Sequence, residues 1–157
     1  MAFLLPLFIF LLDRLAKALA VKNLAGIHGG VPLIPGVIRL LYAENTGMAF
    51  GLLSGQRWLL VLFTLIAAVA AFFALKPYRL GHWAKASLLT IAGGMAGNLV
   101  DRALQGYVVD MFDFTFVRFA VFNVADIAIT LGAVFLCISL LFRPKDWEKK
   151  EEGKATA

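Results

Sequence analysis

The segment Trp58–Leu75 contains no charged residue and is nearly long enough to cross a bilayer, whose hydrocarbon core needs about 20 mostly apolar residues per helix. Apolar residues make up 61% of the 157-residue chain and charged residues only 16%. A soluble domain this small could not bury so much apolar surface, and disordered chains are poor in apolar residues. The sequence therefore predicts an integral membrane protein whose residues 1–157 form a single domain.

Three further windows have the same apolar character, although charged residues interrupt the first and flank the third. We therefore predict an all-α membrane protein with four transmembrane helices. The predicted spans are residues 2–21, 58–75, 83–101 and 121–142, followed by a solvated, frayed tail over residues 143–157.

The distribution of lysine and arginine predicts the orientation of these spans. Both the loop between the second and third spans and the tail after Phe142 are rich in these residues. Because cytoplasmic loops collect lysine and arginine, we expect this loop and both termini to be cytoplasmic. The same bias explains the net charge of +5 without a nucleic-acid partner, and we predict none.

The two outer segments contain residues that favour strands. Val37–Tyr42 and Tyr107–Val121 are rich in β-branched and aromatic side chains. We expect them to form a small sheet on the outer surface. Irregular apolar loops that dip into the membrane interface are the alternative.

Two oppositely charged residues lie inside the first span. Asp13 and Lys17 are four positions apart and so share one helix face, with the acid preceding the base. An isolated charge at the centre of a membrane helix costs at least ~2.5–3.5 kcal/mol. The spacing therefore predicts either a structural ion pair facing the other helices or a direct contact with substrate.

The third span ends in a glycine-rich stretch followed by polar residues. Gly93 and Gly97 form a small-residue face that allows another helix to approach closely. Asn98, Asp101 and Arg102 follow at three- and four-residue spacing, so their side chains should cluster at the outer end of this helix.

Of two further aspartates, Asp110 lies in the last outer segment and Asp126 lies about one turn inside the fourth span. If the third and fourth spans are antiparallel neighbours, this segment can fold back and bring Asp110 to Asp126, with Asn123 within reach. Two carboxyl groups held close share a proton, so one can take a proton from water while the other protonates a carbonyl oxygen. Asp113, beyond this cluster, is expected to face water.

This pattern is typical of peptide hydrolysis, but paired membrane acids also serve as proton relays in small proton-coupled carriers. A non-catalytic lipid-binding or assembly protein is a third interpretation. His28 and His82 fall on opposite sides of the predicted membrane, so we predict no metal site. The sequence contains no nucleotide motif, and we expect no cofactor.

Five sequence blocks follow one another along the chain, which are LDRLAK (12–17), NTGMAFG (45–51), GGMAGNLVDR (93–102), GYVVDM (106–111) and FNVAD (122–126). With these blocks in the family's order, the chain resembles the lipoprotein signal peptidases, also called signal peptidase II, from Leu12 to Thr130. Met48 and Met111 are small departures from the usual pattern, and neither replaces a carboxylate.

The resemblance implies four helices with a small extracytoplasmic β-cradle, in a bacterial inner membrane, with the active site at the outer face. It implies an aspartic endopeptidase that acts on diacylglyceryl-modified prolipoproteins and cleaves just before the lipidated cysteine. We expect membrane lipid as a further partner and a monomer. The resemblance also implies that Asp110 and Asp126 are the catalytic pair and that Asp13 and Lys17 give structural support. The residues with implied supporting or substrate-binding roles are Asn45, Gly47, Asn98, Asp101, Arg102 and Asn123.

Overall fold

The computed structural model describes residues 4–150. Four long helices follow the predicted windows, and their ends differ from the predicted ones by a few residues. The fourth begins three residues later than predicted because Asn123 is its N-cap. The helices are α1 (Leu4–Leu24), α2 (Arg57–Leu75), α3 (His82–Leu104) and α4 (Val124–Phe142).

By length and composition, two of these helices, α2 and α4, could cross a membrane. The ionisable residues of α1 and α3 lower their apolar content, so four transmembrane helices remain a prediction. The helix surfaces nevertheless expose large apolar side chains, among them Phe72 (65% exposed) and Phe142 (75% exposed). Contiguous apolar patches of this kind are rare on soluble monomers and are typical of a surface covered by lipid.

Glycines on α3 allow α1 and α4 to pack against it at short range. A Cβ atom on Gly93 would lie 2.8 Å from the Pro6 carbonyl oxygen of α1. A Cβ on Gly94 would lie 2.5 Å from the Ala125 carbonyl oxygen of α4. The close approach predicted for Gly93 is confirmed, and Gly94 extends it to a second neighbour.

A sheet of three antiparallel strands, here called the outer sheet after the predicted orientation, covers one end of the helices. It contains β1 (Val31–Ile34), β2 (Ile38–Asn45) and β4 (Val108–Phe114), in the order β1-β2-β4. The predicted sheet is confirmed, but its limits differ. Strand β2 continues to Asn45, and β4 ends at Phe114, so residues 115–121 are not a strand.

The prediction that Asp113 faces water is wrong. Asp113 lies opposite Arg39 in the β2–β4 ladder, and Arg39 Nε donates a 2.6 Å hydrogen bond to Asp113 Oδ2. The aspartate is only 9% exposed. The pairing joins residues 74 positions apart and could not be inferred from local spacing.

The predicted Asp13–Lys17 pair forms part of a larger buried cluster that holds α1 against α3. Lys17 Nζ lies 2.7 Å from both Asp13 Oδ2 and Asp101 Oδ2. Arg14 donates a hydrogen bond to the other Asp101 oxygen. Asp13 Oδ1 also accepts a 2.9 Å hydrogen bond from the Ala125 amide, so the cluster reaches α4.

The chain after α4 is folded as far as residue 150, which corrects the prediction of a frayed tail for 143–150. Strand β5 (Trp147–Lys149) pairs with β3 (Tyr78–Leu80), a short strand that the sequence did not predict. Asp146 is buried and accepts hydrogen bonds from Ser139 Oγ and Arg143 Nε. Residues 151–157 of the predicted tail lie outside the described residues.

Substituting Asp13 with asparagine should destabilise the protein more than it slows the turnover expected from the family resemblance. The new side chain keeps an acceptor for the Ala125 amide, but the change removes one of the two carboxylates beside Lys17. Breaking a buried ion pair costs up to ~3–5 kcal/mol. We expect a lower melting temperature in detergent and a lower yield, and a normally stable but inactive variant would contradict this role.

Cysteine labelling in intact cells tests the orientation. Arg79 is exposed on β3, at the opposite end of the helices from the outer sheet. In a Cys137→Ala background, we expect Arg79→Cys to react with a membrane-impermeant thiol reagent only after the cells are opened. Arg118→Cys, exposed beyond β4, should react in intact cells. The reverse pattern would invert the topology.

Candidate active site

Asp126 is fixed by the first turn of α4. Asn123 is the N-cap, and its Oδ1 accepts a 2.9 Å hydrogen bond from the Asp126 amide. Asp126 Oδ2 in turn accepts a 3.2 Å hydrogen bond from the Asn123 amide, which completes a capping box. The candidate carboxylate is thus held by the same bonds that start its helix.

Asp110 lies in the middle of β4 and is only 2% exposed. Asn123 Nδ2 donates to Asp110 Oδ1 at 2.6 Å, and Asn45 Nδ2 donates to Asp110 Oδ2 at 2.9 Å. Asn123 therefore contacts both aspartates, one through its side chain and the other through its capping bonds. The predicted meeting of Asp110 and Asp126 is present in the structure.

Burial raises the pKa of Asp110 from its ordinary value of 3.8 to about 6, although the hydrogen bond from Asn45 opposes this shift. The neighbouring charge of Asp126 adds to the rise, and the hydrogen bond from Asn123 lowers the pKa. A carboxyl group with this pKa keeps a proton in weakly acidic solution, which an ordinary aspartate does not.

Asn98 connects the aspartates to the buried cluster of charges. Its Nδ2 donates to Asp126 Oδ1 at 2.7 Å, and its Oδ1 accepts from Lys17 Nζ at 2.9 Å and from Asn123 Nδ2 at 3.2 Å. Each of the four carboxylate oxygens of Asp110 and Asp126 consequently accepts a hydrogen bond from an asparagine. This arrangement fixes both carboxyl groups in orientation.

Asp101 and Arg102 are adjacent in sequence, but their side chains contact different parts of the structure. Asp101 is fully buried in the charged cluster with Lys17 and Arg14, away from the aspartate pair. Arg102 Nη2 donates a 2.9 Å hydrogen bond to the Gly47 carbonyl oxygen. The expected clustering of these side chains with Asn98 is therefore only partial, because Asp101 reaches Asn98 through Lys17.

Gly47 occupies a tight turn directly after β2. Its amide donates a 2.9 Å hydrogen bond to Asn45 Oδ1, and a Cβ atom at this position would lie 2.6 Å from the Leu52 carbonyl oxygen. The turn thus orients Asn45 towards Asp110, and Arg102 holds the turn from the other side. These contacts place Gly47 as a backbone support for the site.

A cavity of about 470 Å³ adjoins the aspartate pair. Apart from Thr130, its polar lining consists of residues predicted from the sequence, which are Asn45, Asn98, Arg102, Asp110 and Asp126. The remainder is mostly apolar and includes Val121, Ile127 and Leu131. The cavity can therefore hold an apolar group beside two carboxyl groups.

Three phenylalanines of the cavity wall were not predicted as site residues. Phe114, Phe119 and Phe122, here called the aromatic wall, contact one another with ring centroids 5.2–6.0 Å apart. The aromatic enrichment of Tyr107–Val121 is a signal for Phe114 and Phe119, which the sequence analysis uses only as strand propensity, and Phe122 lies directly after this range. Within residues 4–150, no group of three or more histidine, cysteine, aspartate or glutamate side chains could hold a metal ion.

Solved structures support the fold. One bacterial membrane enzyme, determined by the in meso method at 2.3 Å resolution, is 27% identical and superposes with a TM-score of 0.79 over 97% of this chain and 94% of its own. A second, at 1.9 Å resolution, gives a TM-score of 0.77 over 90% of this chain and 93% of its own.

Sequence comparison identifies the family. A curated lipoprotein signal peptidase of Clostridioides difficile is 39% identical over 83% of this chain and 88% of its own length. One from Streptococcus pyogenes serotype M1 is 37% identical over 90% of both chains. The family model of signal peptidase II matches residues 5–142, which include both aspartates and all the asparagines that hold them. The chain therefore belongs to the signal peptidase II family of aspartic peptidases.

Proposed function

We propose that this protein is an intramembrane aspartic endopeptidase that removes the signal peptide from diacylglyceryl-modified prolipoproteins, cleaving just before the lipidated cysteine. Asp110 and Asp126 are its catalytic residues. The observation that carries the proposal is a pair of aspartates, Asp110 buried and Asp126 half-buried, each held by asparagine donors at the polar end of an otherwise apolar cavity.

The ionised aspartate takes a proton from water, whose oxygen attacks the carbonyl carbon of the scissile peptide bond. The protonated aspartate gives its proton to the carbonyl oxygen, which produces a tetrahedral intermediate. When this intermediate collapses, the aspartate that took the proton from water gives it to the leaving amine, and the other aspartate takes a proton back from a hydroxyl group of the intermediate. The C–N bond breaks and the pair returns to its one-proton state. The raised pKa of Asp110 supports the one-proton state that this reaction needs.

The aromatic wall and the neighbouring aliphatic side chains suit a substrate with an apolar segment beside the cleaved bond. Acyl chains on the following cysteine can remain in the lipid, and each buried CH₂ group contributes about 0.8 kcal/mol to membrane anchoring. The anchor concentrates substrate in the plane of the enzyme. One cavity can therefore serve many precursors that share the lipidated cysteine.

In the proposed arrangement four helices cross the inner membrane, both termini are cytoplasmic and the outer sheet forms an extracytoplasmic cradle over the site. The lysine and arginine bias supports this orientation. We propose that the protein acts as a monomer, because one chain supplies both aspartates and every asparagine that holds them.

Cleavage of a lipidated precursor by the purified protein, in the presence of a metal chelator, tests the proposal. We expect release of the signal peptide from the diacylglyceryl-modified precursor and little release from its unmodified form. Proton-driven uptake into proteoliposomes without cleavage would instead support the carrier interpretation. Lipid binding without either activity would support a non-catalytic role.

Asp110→Asn and Asp126→Asn should each abolish cleavage. Asparagine preserves the size of the side chain but cannot exchange the proton, and the loss of a positioned acid–base group typically lowers the rate 10²–10⁴-fold. Asp113→Asn is the matched control for Asp110, because it lies on the same strand but pairs with Arg39. We expect this control to retain most of the turnover, and an equal loss from it would show that the wrong carboxylates were chosen.

The stability of the protein should report the proton on Asp110. Because the pKa is raised to about 6 by folding, the folded state binds more protons than the unfolded state between about pH 4 and pH 6. The stabilisation is complete below pH 4 and is lost as the pH rises through 6. Melting curves should show that the wild type loses stability over this interval relative to Asp110→Asn, and parallel curves would contradict the raised pKa.

A further inference from the structure

Three asparagines donate N–H groups to the two proposed catalytic carboxyl groups, and further contacts determine which end of each asparagine side chain faces them. An asparagine side chain can present either its oxygen or its NH₂ group to a neighbour, and only the NH₂ group donates. A carboxylate faced by the amide oxygen would be repelled rather than held. Besides the aspartates themselves, donors elsewhere in the structure fix the orientation of Asn45, Asn98 and Asn123.

Backbone amides fix two of the three. The Gly47 amide donates to Asn45 Oδ1 at 2.9 Å, which turns Asn45 Nδ2 towards Asp110. The Asp126 amide donates to Asn123 Oδ1 at 2.9 Å, which turns Asn123 Nδ2 towards Asp110. Both donors belong to the main chain, so no substitution that keeps the turn and the helix cap removes them.

Asn98 is different because it lies inside α3, where the backbone amides are used by the helix itself. Its oxygen accepts instead from Lys17 Nζ at 2.9 Å and, at the longer distance of 3.2 Å, from Asn123 Nδ2. If Asn98 were turned over, its NH₂ group would face the ammonium group and its oxygen would face Asp126. Two unfavourable contacts would replace two favourable ones.

The position of the ammonium group is itself tightly determined. An ammonium group has three donors and no acceptor, and Lys17 Nζ has three oxygen neighbours, which are Asp13 Oδ2, Asp101 Oδ2 and Asn98 Oδ1 at 2.7–2.9 Å. The residue is only 2% exposed. The two carboxylates offset its charge as ion pairs, and among these three contacts the one with Asn98 Oδ1 has the geometry of a hydrogen bond.

We propose that Lys17 is a positioning residue for catalysis, which acts through Asn98 to hold Asp126 in its reactive orientation. This role goes beyond the structural ion pair and rests on the proposed peptidase function. A displacement of about 1 Å at a catalytic group can lower the rate by about 10²-fold. Loss of the Lys17 donor should therefore reduce kcat much more than it affects KM.

The experiment compares two proteins, the single variant Asp13→Asn and the double variant Asp13→Asn/Lys17→Met. The Asp13→Asn background is needed because methionine alone would leave Asp13 unpaired, whereas an asparagine in its place is neutral and can still accept from the Ala125 amide. With a diacylglyceryl-modified precursor as substrate, we expect the added Lys17→Met change to lower kcat by about 10- to 100-fold. KM should stay within about threefold, and melting curves should show a folded protein.

Asn98→Ala provides the decisive control, because it removes the group through which Lys17 is proposed to act. Adding Lys17→Met to an Asp13→Asn/Asn98→Ala protein should lower kcat by less than about threefold, since coupled residues do not contribute independently. Equal losses from Lys17→Met with and without Asn98 would overturn the proposal. A lower melting temperature with unchanged kcat would also overturn it and leave Lys17 as a structural residue only.

Two further variants separate charge from hydrogen bonding. Arg14→Met removes the other cation that contacts Asp101 but leaves the Lys17–Asn98 contact in place, so kcat should change little. Asp13→Asn/Lys17→Gln keeps a neutral donor and should retain more turnover than Asp13→Asn/Lys17→Met. Equal kcat for these two double variants would contradict a role for the donor.

Failure of the wild type to cleave would refute the proposed function itself, whichever result the variants give.

Discussion

The start of α4 is the point on which the arrangement of the other elements depends. Asn123 caps the helix through the Asp126 amide and contacts Asp110 of β4 and Asn98 of α3. The preceding residue, Phe122, exchanges backbone hydrogen bonds with Phe112 of β4 at 2.9 and 3.0 Å. One short stretch of chain therefore joins the helices to the outer sheet and holds both candidate carboxylates.

Helix α1 is attached to the same point by charge. Asp13 accepts from the Ala125 amide in the first turn of α4, and through Lys17 it also reaches α3. Away from water, an unpaired donor or ion is costly, so each of these bonds restricts where its partners can lie. The polar groups of the site are consequently ordered by the same bonds that hold three helices together.

The features that could be predicted from the sequence are those that depend on the spacing of residues close together in the chain. Apolar windows predicted the helices, the four-residue separation of Asp13 and Lys17 included an ion pair among its two interpretations, and the spacing of Gly93 and Gly97 predicted close packing. The family's sequence blocks pointed to Asp110 and Asp126, which the structure brings together through Asn123. Their catalytic role remains a proposal.

Contacts between distant segments could not be predicted. Arg39 and Asp113 are far apart in sequence, and so are Arg14 and Asp101. No local pattern specifies such a partner. The three-residue strands β3 and β5 were missed for a related reason, since each is too short to show a periodicity and forms only because the other is present.

The segment between β4 and α4 supplies both a polar and an apolar part of the cavity. Strand β4 places Asp110 in the polar part of the cavity and ends at Phe114, and the chain then returns to α4 through Phe119 and Phe122. A polar acid and an apolar wall are thus supplied by neighbouring parts of one connection. In the proposed reaction, a peptide whose cleaved bond lies beside a lipid-bearing residue needs both surfaces at once, because its carbonyl group must meet the carboxyl pair while its apolar part stays out of water. The short connection between Asp110 and Asp126 holds the polar surface and the apolar surface next to each other.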